Sequence, residues 1–338
     1  MAMYLANVFF YTNDEGDLAR IGYVYADEAP KSELNAAYNR QKAFQDISEI
    51  DLTRCDRYTI ITFGDSFSEQ DSLGYQSRLA ARGGSVLNMD RFLSGDNMLQ
   101  KLIEFLNSDM VSCLQPAYVL YQTVERFANG RSENLDYKAS LDVTTLQSSI
   151  AQHTKIKPDR SISFFSDLTI KAPVTNLQYF FTDLPTFSKT YKFATSTEGL
   201  FARGVDDVLI LKEDLDRLPI KNDPDQTEHT VRTLNRVNQL AGEKGIKLIV
   251  LIAPDKYDVY QDFIVADRPT PKSTFFKVYD ELDKDYLDVA AYRTLRRLVD
   301  TEENVYYYDD THWSPKGAAA VADVIFDLVQ RDSRSVGE

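Results

Sequence analysis

The chain is poor in the residues that most often do chemistry. It holds three histidines, two cysteines and one tryptophan in 338 positions. Two cysteines, Cys55 and Cys113, cannot by themselves make a metal site; they permit one disulfide or two buried thiols. Basic residues are outnumbered, 38 against 52 acidic, which leaves a net charge of −14. Phosphate backbones are bound by dense Lys and Arg, so this deficit argues against nucleic acid as a partner. It also disfavours an anionic membrane surface. No apolar run approaches the ~18 residues of a membrane-spanning helix. The opening stretch, MAMYLANVFFYTNDEG, lacks a charged leader, a long apolar core and a cleavage site. Taken literally, that expects a cytoplasmic chain, although "MA" equally suits a start placed after a removed signal or anchor.

What is present is the composition of a folded α/β protein. Hydrophobic residues make up 43% of the chain, with 19 Phe and 20 Tyr among them, enough for one large core or a domain with a sizeable insertion. Short apolar runs at 58–63 (YTIITF), 85–90 (SVLNMD) and 118–123 (YVLYQT) read as buried strands, with NMLQKLIEFL between the last two at helical spacing. Such alternation points to a parallel sheet with crossover helices. From about 130 to 205 the periodicity fails, and the segment reads as an insertion or lid of mixed structure, too aromatic for disorder. Regularity returns with a strand at 206–211 and a helix bearing Val231, Leu234, Val237 and Leu240, which Gly242 or Gly245 is placed to end. A strand at 246–254 follows, then a helix over roughly 275–299. A final helix carries the stripe Val321, Val324, Ile325 and Leu328.

Two short stretches carry candidate chemistry. In ITFGDSFSEQ, Ser66 stands between a strand and a probable helix, with Gly64 allowing a sharp turn. Carboxyl ends of strands form the ligand crevice of open α/β sheets, and a serine there exposes its hydroxyl while its own amide can help hold an oxyanion. The plainer reading is that Asp65, Ser66 or Ser68 caps the following helix, and from GDS alone the two are even. The second stretch, YYYDDTHWSPKGA, places Asp309 and Asp310 just before His312, with Trp313 after it. A serine hydroxyl needs a base, and a histidine oriented by a carboxylate is the usual one. His153, in the irregular insertion, and His229, among polar residues at a helix start, read as solvated surface groups.

Together, GDSFS and DTHWSPKGA resemble the SGNH-hydrolase superfamily, and more narrowly its alginate O-acetyltransferase-like branch (AlgJ/AlgX type). YQTVERF (121–127) and GEKGIKLIVLIAPDKYDVY (242–260) resemble further segments of that branch. The order differs: here Ser66 precedes the Asp-x-His-Trp stretch, as in ordinary SGNH esterases, whereas the alginate-type proteins place it after. The superfamily's Gly-x-Asn-Asp segment is replaced by YQTVERF, which leaves its side-chain oxyanion donor open. Carried over, the resemblance implies Ser66 as nucleophile, His312 as base and Asp310 as orienting carboxylate. The commonest SGNH spacing would favour Asp309 instead. It also implies an oxyanion hole from the amides of Ser66 and Gly95, where Gly95 could equally be a turn glycine. Arg126 and Trp313 become substrate contacts, against a structural Arg126–Glu125 ion pair and plain packing of Trp313. Lys256 reads as a solvated loop lysine outside the site.

The resemblance implies an α/β, three-layer, SGNH-like (flavodoxin-like) parallel sheet with flanking helices and an inserted segment. An N-terminal extension over 1–50 would pack on a domain spanning 51–330, with the insertion near 130–205. The implied activity is O-acetyl transfer, through a serine acyl-enzyme, onto hydroxyls of an exported polysaccharide of cellulose or alginate type. The alternatives are an SGNH carbohydrate acetylesterase or a non-catalytic polysaccharide-binding subunit of an export complex. No metal or organic cofactor is implied. The implied partners are the polysaccharide acceptor and a membrane-bound acetyl-donating protein, with no nucleic acid. The implied location is periplasmic or extracytoplasmic, anchored by a segment missing from this chain. The strong negative charge favours a neutral glucan over polyuronate. Because the strands after Cys55 and Cys113 are neighbours in the superfamily's sheet order, the two sulfurs are placed to bond, with two separate thiols the alternative. The aromatics of 176–193 could wall a polymer site beside Trp313, or pack a core.

Overall fold

The computed structural model describes residues 17–18, 28–91, 97–153, 178, 181–202, 206–266 and 270–335. Six strands form the main sheet: β1 (Gln45–Asp46), β2 (Ile60–Phe63), β3 (Val86–Met89), β4 (Tyr118–Val124), β7 (Lys247–Ala253) and β9 (Leu287–Asp288). Their order is β1-β3-β2-β4-β7-β9, and every pairing is parallel. Setting aside the short edge strand β1, this is the flavodoxin-like order 2-1-3-4-5. The crevice for a ligand then lies at the carboxyl end of its first strand, β2.

The apolar runs follow from burial on both faces. Alternate side chains of each strand enter opposite cores. Ile60, Leu120, Ile249 and Leu251 pack with Leu79, Leu295, Val321 and Ile325. Their neighbours Ile61, Val119, Leu248 and Val250 pack with Leu102, Leu234, Val237 and Phe275. Helices Tyr75–Ala80, Ala291–Val299 and Pro315–Ser335 therefore cover one face, and Met98–Leu106, Pro224–Gly242 and Phe275–Glu281 the other. This is the expected three-layer SGNH-like arrangement.

Helix ends follow local chemistry. Asn97 caps Met98–Leu106, its Oδ1 accepting from the amides of Leu99 (3.0 Å) and Gln100 (3.3 Å). Asp223 does the same for Pro224–Gly242, with Pro224 at the first helical position. That helix stops at Gly242, and Gly245 takes φ +73° to turn the chain into β7.

Two elements depart from the sequence expectation. The single helix expected over 275–299 is two helices, Phe275–Glu281 and Ala291–Val299, with β9 between them. Phe275 and Tyr279 face one core while Leu295 and Val299 face the other; the chain must cross the sheet edge, which no continuous helix could do. The strand read at 206–211 forms as β6 (Asp207–Leu211), but in a separate antiparallel sheet of order β6-β5-β8, with β5 (Thr190–Thr195) and β8 (Ile264–Val265). β5 comes from the irregular segment, which also contributes the helix Val143–His153. Cys55 and Cys113, shortly before β2 and β4, are joined in a disulfide. Among the described residues no helix is long and apolar enough to cross a membrane.

Candidate active site

The turn after β2 is built around one buried carboxylate. A Cβ at Gly64 would lie 1.9 Å from Ser68 Oγ and 2.7 Å from Gln122 Oε1, so only glycine fits. Asp65 is 2% exposed. Its Oδ1 accepts from the Phe67 amide (3.2 Å) and Gln122 Nε2 (2.9 Å). Its Oδ2 accepts from the Val124 amide (2.8 Å) and Arg131 Nη1 (2.6 Å). Burial alone would raise this carboxyl, but Arg131 and these hydrogen bonds hold it below its ordinary range. The capping reading therefore falls to Asp65. It ties the turn to the end of β4 and leaves Ser66, at the start of a single 3₁₀ turn (Ser66–Ser68), partly open to solvent.

Ser66 Oγ lies 2.7 Å from His312 Nε2, and His312 Nδ1 lies 2.6 Å from Asp310 Oδ1. The same Asp310 oxygen accepts from the His312 amide at 3.0 Å, fixing the carboxylate to the residue it serves. Asp309, the alternative by spacing, turns away: its Oδ1 lies 3.5 Å from Lys31 Nζ. About a fifth of the His312 side chain (19%) is exposed, so the imidazole edge remains reachable from solvent. Burial pulls the imidazole pKa down, but the Asp310 hydrogen bond and the charges of Asp310 and Asp17 outweigh it. The result lies above the ordinary histidine value. Asp310 is pushed up by burial and more strongly down by His312 and Lys31, ending well below the carboxylate range.

The other sequence candidates fare differently. Trp313 is fully buried and cannot stack on a sugar. Its ring meets Phe67 edge-on at 4.6 Å, and Phe67 also lies 4.6 Å from the His312 ring. Trp313 Nε1 donates to Gln70 Oε1 (2.6 Å), and Gln70 Nε2 returns a bond to the Trp313 carbonyl (2.9 Å). Trp313 and Gln70 thus staple the histidine loop to the serine turn. Arg126 does not pair with Glu125. Its Nη1 binds Asp255 at 2.5 Å and lies 3.4 Å from Asp214, while Glu125 is bound by Lys221. Gly95 lies outside the described residues. Lys256 is not solvated: it is 1% exposed, and its Nζ donates to the carbonyls of Tyr307 (2.7 Å), Tyr308 (2.7 Å) and Asp310 (3.3 Å).

Asp17 was not legible in the sequence. Its Oδ1 accepts from the Thr311 amide at 2.7 Å, its Oδ2 accepts from the Thr311 hydroxyl, and that Oδ2 sits 3.7 Å from His312 Nδ1. It belongs to no motif; only folding brings it to the loop. Beside the triad, a closed ionic cluster gathers behind the ends of β4 and β7. Lys221 Nζ lies 3.0, 2.8 and 2.7 Å from Glu125, Asp255 and Asp258, filling the space on which the three carboxylates converge.

An in-line Ser–His–Asp set at the carboxyl edge of a flavodoxin-like sheet is the arrangement of an SGNH-type α/β domain. Residues 203–338 match the family model described as "SGNH hydrolase-like domain, acetyltransferase AlgX". Over that segment, which is less than half of the chain, the sequence is similar to AlgX-type SGNH hydrolase-like domains. The matched segment includes Asp310, His312 and Trp313, and Ser66 lies outside it. Comparison with curated proteins finds no match.

Proposed function

We propose that this protein is an O-acetyltransferase that moves an acetyl group, by way of Ser66, onto hydroxyls of an exported polysaccharide of cellulose or alginate type. The observation that carries this is the unbroken chain Ser66 Oγ, His312 Nε2, His312 Nδ1, Asp310 Oδ1 with contacts of 2.7 and 2.6 Å, together with the acetyltransferase description of the matched family. In the first half-reaction Ser66 Oγ attacks the donor's acetyl carbonyl and His312 Nε2 takes the hydroxyl proton. The tetrahedral oxyanion is held by the Ser66 amide, and the family resemblance implies the Gly95 amide as a second donor. As it collapses the leaving group departs with the proton from His312, and acetyl-Ser66 remains. In the second half-reaction His312 takes the proton of a sugar hydroxyl, which attacks the ester. Ser66 is then released and reprotonated.

Several features support a polymer acceptor outside the cytoplasm. Leu184 and Phe187 are exposed by 55% and 68%, apolar surface on which a sugar ring could rest. They lie just before β5, whose Thr190 bonds the Leu18 carbonyl while the Leu18 amide bonds Asp309. The Cys55–Cys113 disulfide suits an oxidising compartment. The donor would come from a membrane-bound partner. The competing reading is an acetylesterase, favoured by the solvent-reachable edge of His312, since water would then accept the acetyl group.

The test is incubation of the protein with a model acetyl ester and neutral or anionic oligosaccharides, followed by mass measurement. Sugars heavier by one acetyl each, with slow hydrolysis when sugar is absent, are expected. Fast hydrolysis with no acetylated sugar from any oligomer would establish the esterase instead. No ester turnover at all would leave the non-catalytic binding subunit.

A further inference from the structure

We infer that Lys256 is a positioning residue for the triad, its ammonium acting as a three-pronged clamp on the turn that carries Asp310 and His312. The inference rests on the acyl-transfer reading of Ser66 and His312 given above.

The argument begins with donor arithmetic. A lysine ammonium offers three N–H donors and no acceptor. Lys256 Nζ faces three carbonyls of one turn: Tyr307 and Tyr308 at 2.7 Å and Asp310 at 3.3 Å. A neutral amine would have two donors and a lone pair aimed at a carbonyl oxygen, so only the charged form satisfies the set. The last of these carbonyls belongs to the residue whose side chain holds His312 Nδ1. Losing one prong therefore frees the backbone from which the triad carboxylate projects.

The clamp stands on a rigid base. Lys256 opens the helix Lys256–Tyr260, directly after β7, in the interior of the sheet. Tyr306 Oη donates to the Pro254 carbonyl (2.7 Å), and the Tyr306 amide donates to Tyr260 Oη (3.3 Å), docking the entrance of the same turn on the same two elements. Phe201 closes the other side, its ring centre 5.0 Å from Nζ. Other contacts hold the same turn, the Leu18 amide on the Asp309 carbonyl and Asp17 on Thr311 among them, and Lys256 is the side chain that gathers the carbonyls of Tyr307, Tyr308 and Asp310.

Charged groups surround this ammonium from several elements. Asp309 and Asp310 face it from the turn, Asp17 from the N-terminal segment and Asp214 from the helix Lys212–Asp216. Lys31 neutralises part of the turn's charge, at 3.5 Å from Asp309 and 3.8 Å from Asp310. Asp255, the residue before Lys256, is engaged by Arg126 and Lys221. Burial lowers the lysine to about 7 against the raising effect of these carboxylates. As pH rises the amine keeps two of its three donors, so the clamp loses one prong, a pH dependence that a purely structural contact would not show.

Trp313, the single tryptophan, is buried within the same loop, so its emission reports the loop without turnover. In the full-length wild type, Trp313 emission and kcat for a model acetyl ester are expected to change together on an alkaline limb. Lys256→Met keeps side-chain length and removes the charge. It is expected to lower kcat at least tenfold with KM within threefold, and to abolish that limb in both readouts. A folded Lys256→Met protein with kcat within threefold of wild type, or with the alkaline limb intact, overturns the inference. If the variant does not fold, the wild-type titration decides: no alkaline emission change below the tyrosine range overturns it. A wild type that turns over no ester counts against the functional reading alone, because the emission arm still judges the clamp.

Discussion

Two groups of charged side chains share the carboxyl edge of the sheet and differ in what they can do. The triad is sparse and open: one imidazole between one hydroxyl and one carboxylate, with the His312 edge exposed. The cluster behind β4 and β7 is dense and closed. Glu125, Asp214, Asp255 and Asp258 there meet Lys221 and Arg126, all but Arg126 at 2% side-chain exposure or less. Burial, then the neighbouring Asp258, pushes Glu125 far above its ordinary range, and burial with Asp255 does the same to Asp214. Perturbed titration is thus stronger in the cluster, yet nothing reactive faces solvent there. Access and alignment, more than the size of a pKa shift, separate a reacting site from a structural one.

The sharpest test of this contrast is loss of the nucleophile or base. Ser66→Ala and His312→Ala should each reduce acetyl turnover at least ~10⁴-fold, with the double variant no worse, because each disables the same step. Thermal unfolding should scarcely change. Appreciable activity in Ser66→Ala would erase the distinction between the two groups.

Within the triad the neighbouring aspartates should separate. Asp310→Asn should cost roughly 10³–10⁴-fold in kcat by misdirecting the imidazole, whereas Asp309→Asn, whose side chain faces Lys31, should stay within about tenfold. Rates for the two single variants at saturating ester decide it. The reverse ranking would make the Asp310 contact incidental.

For the cluster the expected deficit is in stability. Lys221→Met leaves three buried carboxylates without their shared cation and should cost about 3–5 kcal/mol, read by urea unfolding. The folded fraction should retain kcat within a few-fold. A stable variant with collapsed activity would move Lys221 into the site.

The smallest expected effect is on pH dependence. In the proposed mechanism His312 must be neutral to accept the serine proton, and its pKa is raised by Asp310 and Asp17 beyond the opposing pull of burial. The acid limb of kcat/KM should therefore lie above the ordinary imidazole value of about 6.5, with activity gained as pH rises through it. In Asp310→Asn the largest raising interaction is gone, so the limb of the residual activity should move to lower pH. An unmoved limb would mean that another group sets it.

Much of this was readable beforehand because it depends on neighbours in sequence. The runs at 60–63, 118–124 and 247–253 are apolar throughout since both faces of each strand are covered. Ser66 and His312 were legible as candidates because they sit in the short motifs GDSFS and DTHWSPKGA, while the choice between Asp309 and Asp310 was open. Lys256, Asp17 and Gln70 were not. Each acts through a partner 50 or more residues away, on a backbone carbonyl, a threonine or an indole. A lysine beside an aspartate in PDKYD looks identical whether it points to water or to three carbonyls. The helix expected over 275–299 failed for the opposite reason, since two amphipathic stretches on opposite faces of the sheet read as one when their partners are unknown.

The sequence by itself determined the buried strands at 60–63, 86–89, 118–124 and 247–253 and the long helices at 224–242 and 315–335, because apolar runs and helical spacing are local consequences of burying one face or two. It also offered Ser66, Asp309, Asp310 and His312 as candidates, since residue types and short motifs need no tertiary partner to be recognised. Only the tertiary structure decided that residues 246 positions apart stand 2.7 Å from each other, that Trp313 packs rather than binds, and that one buried lysine grips the turn beside them. These are matters of direction and burial, which depend on what the rest of the chain places opposite each side chain.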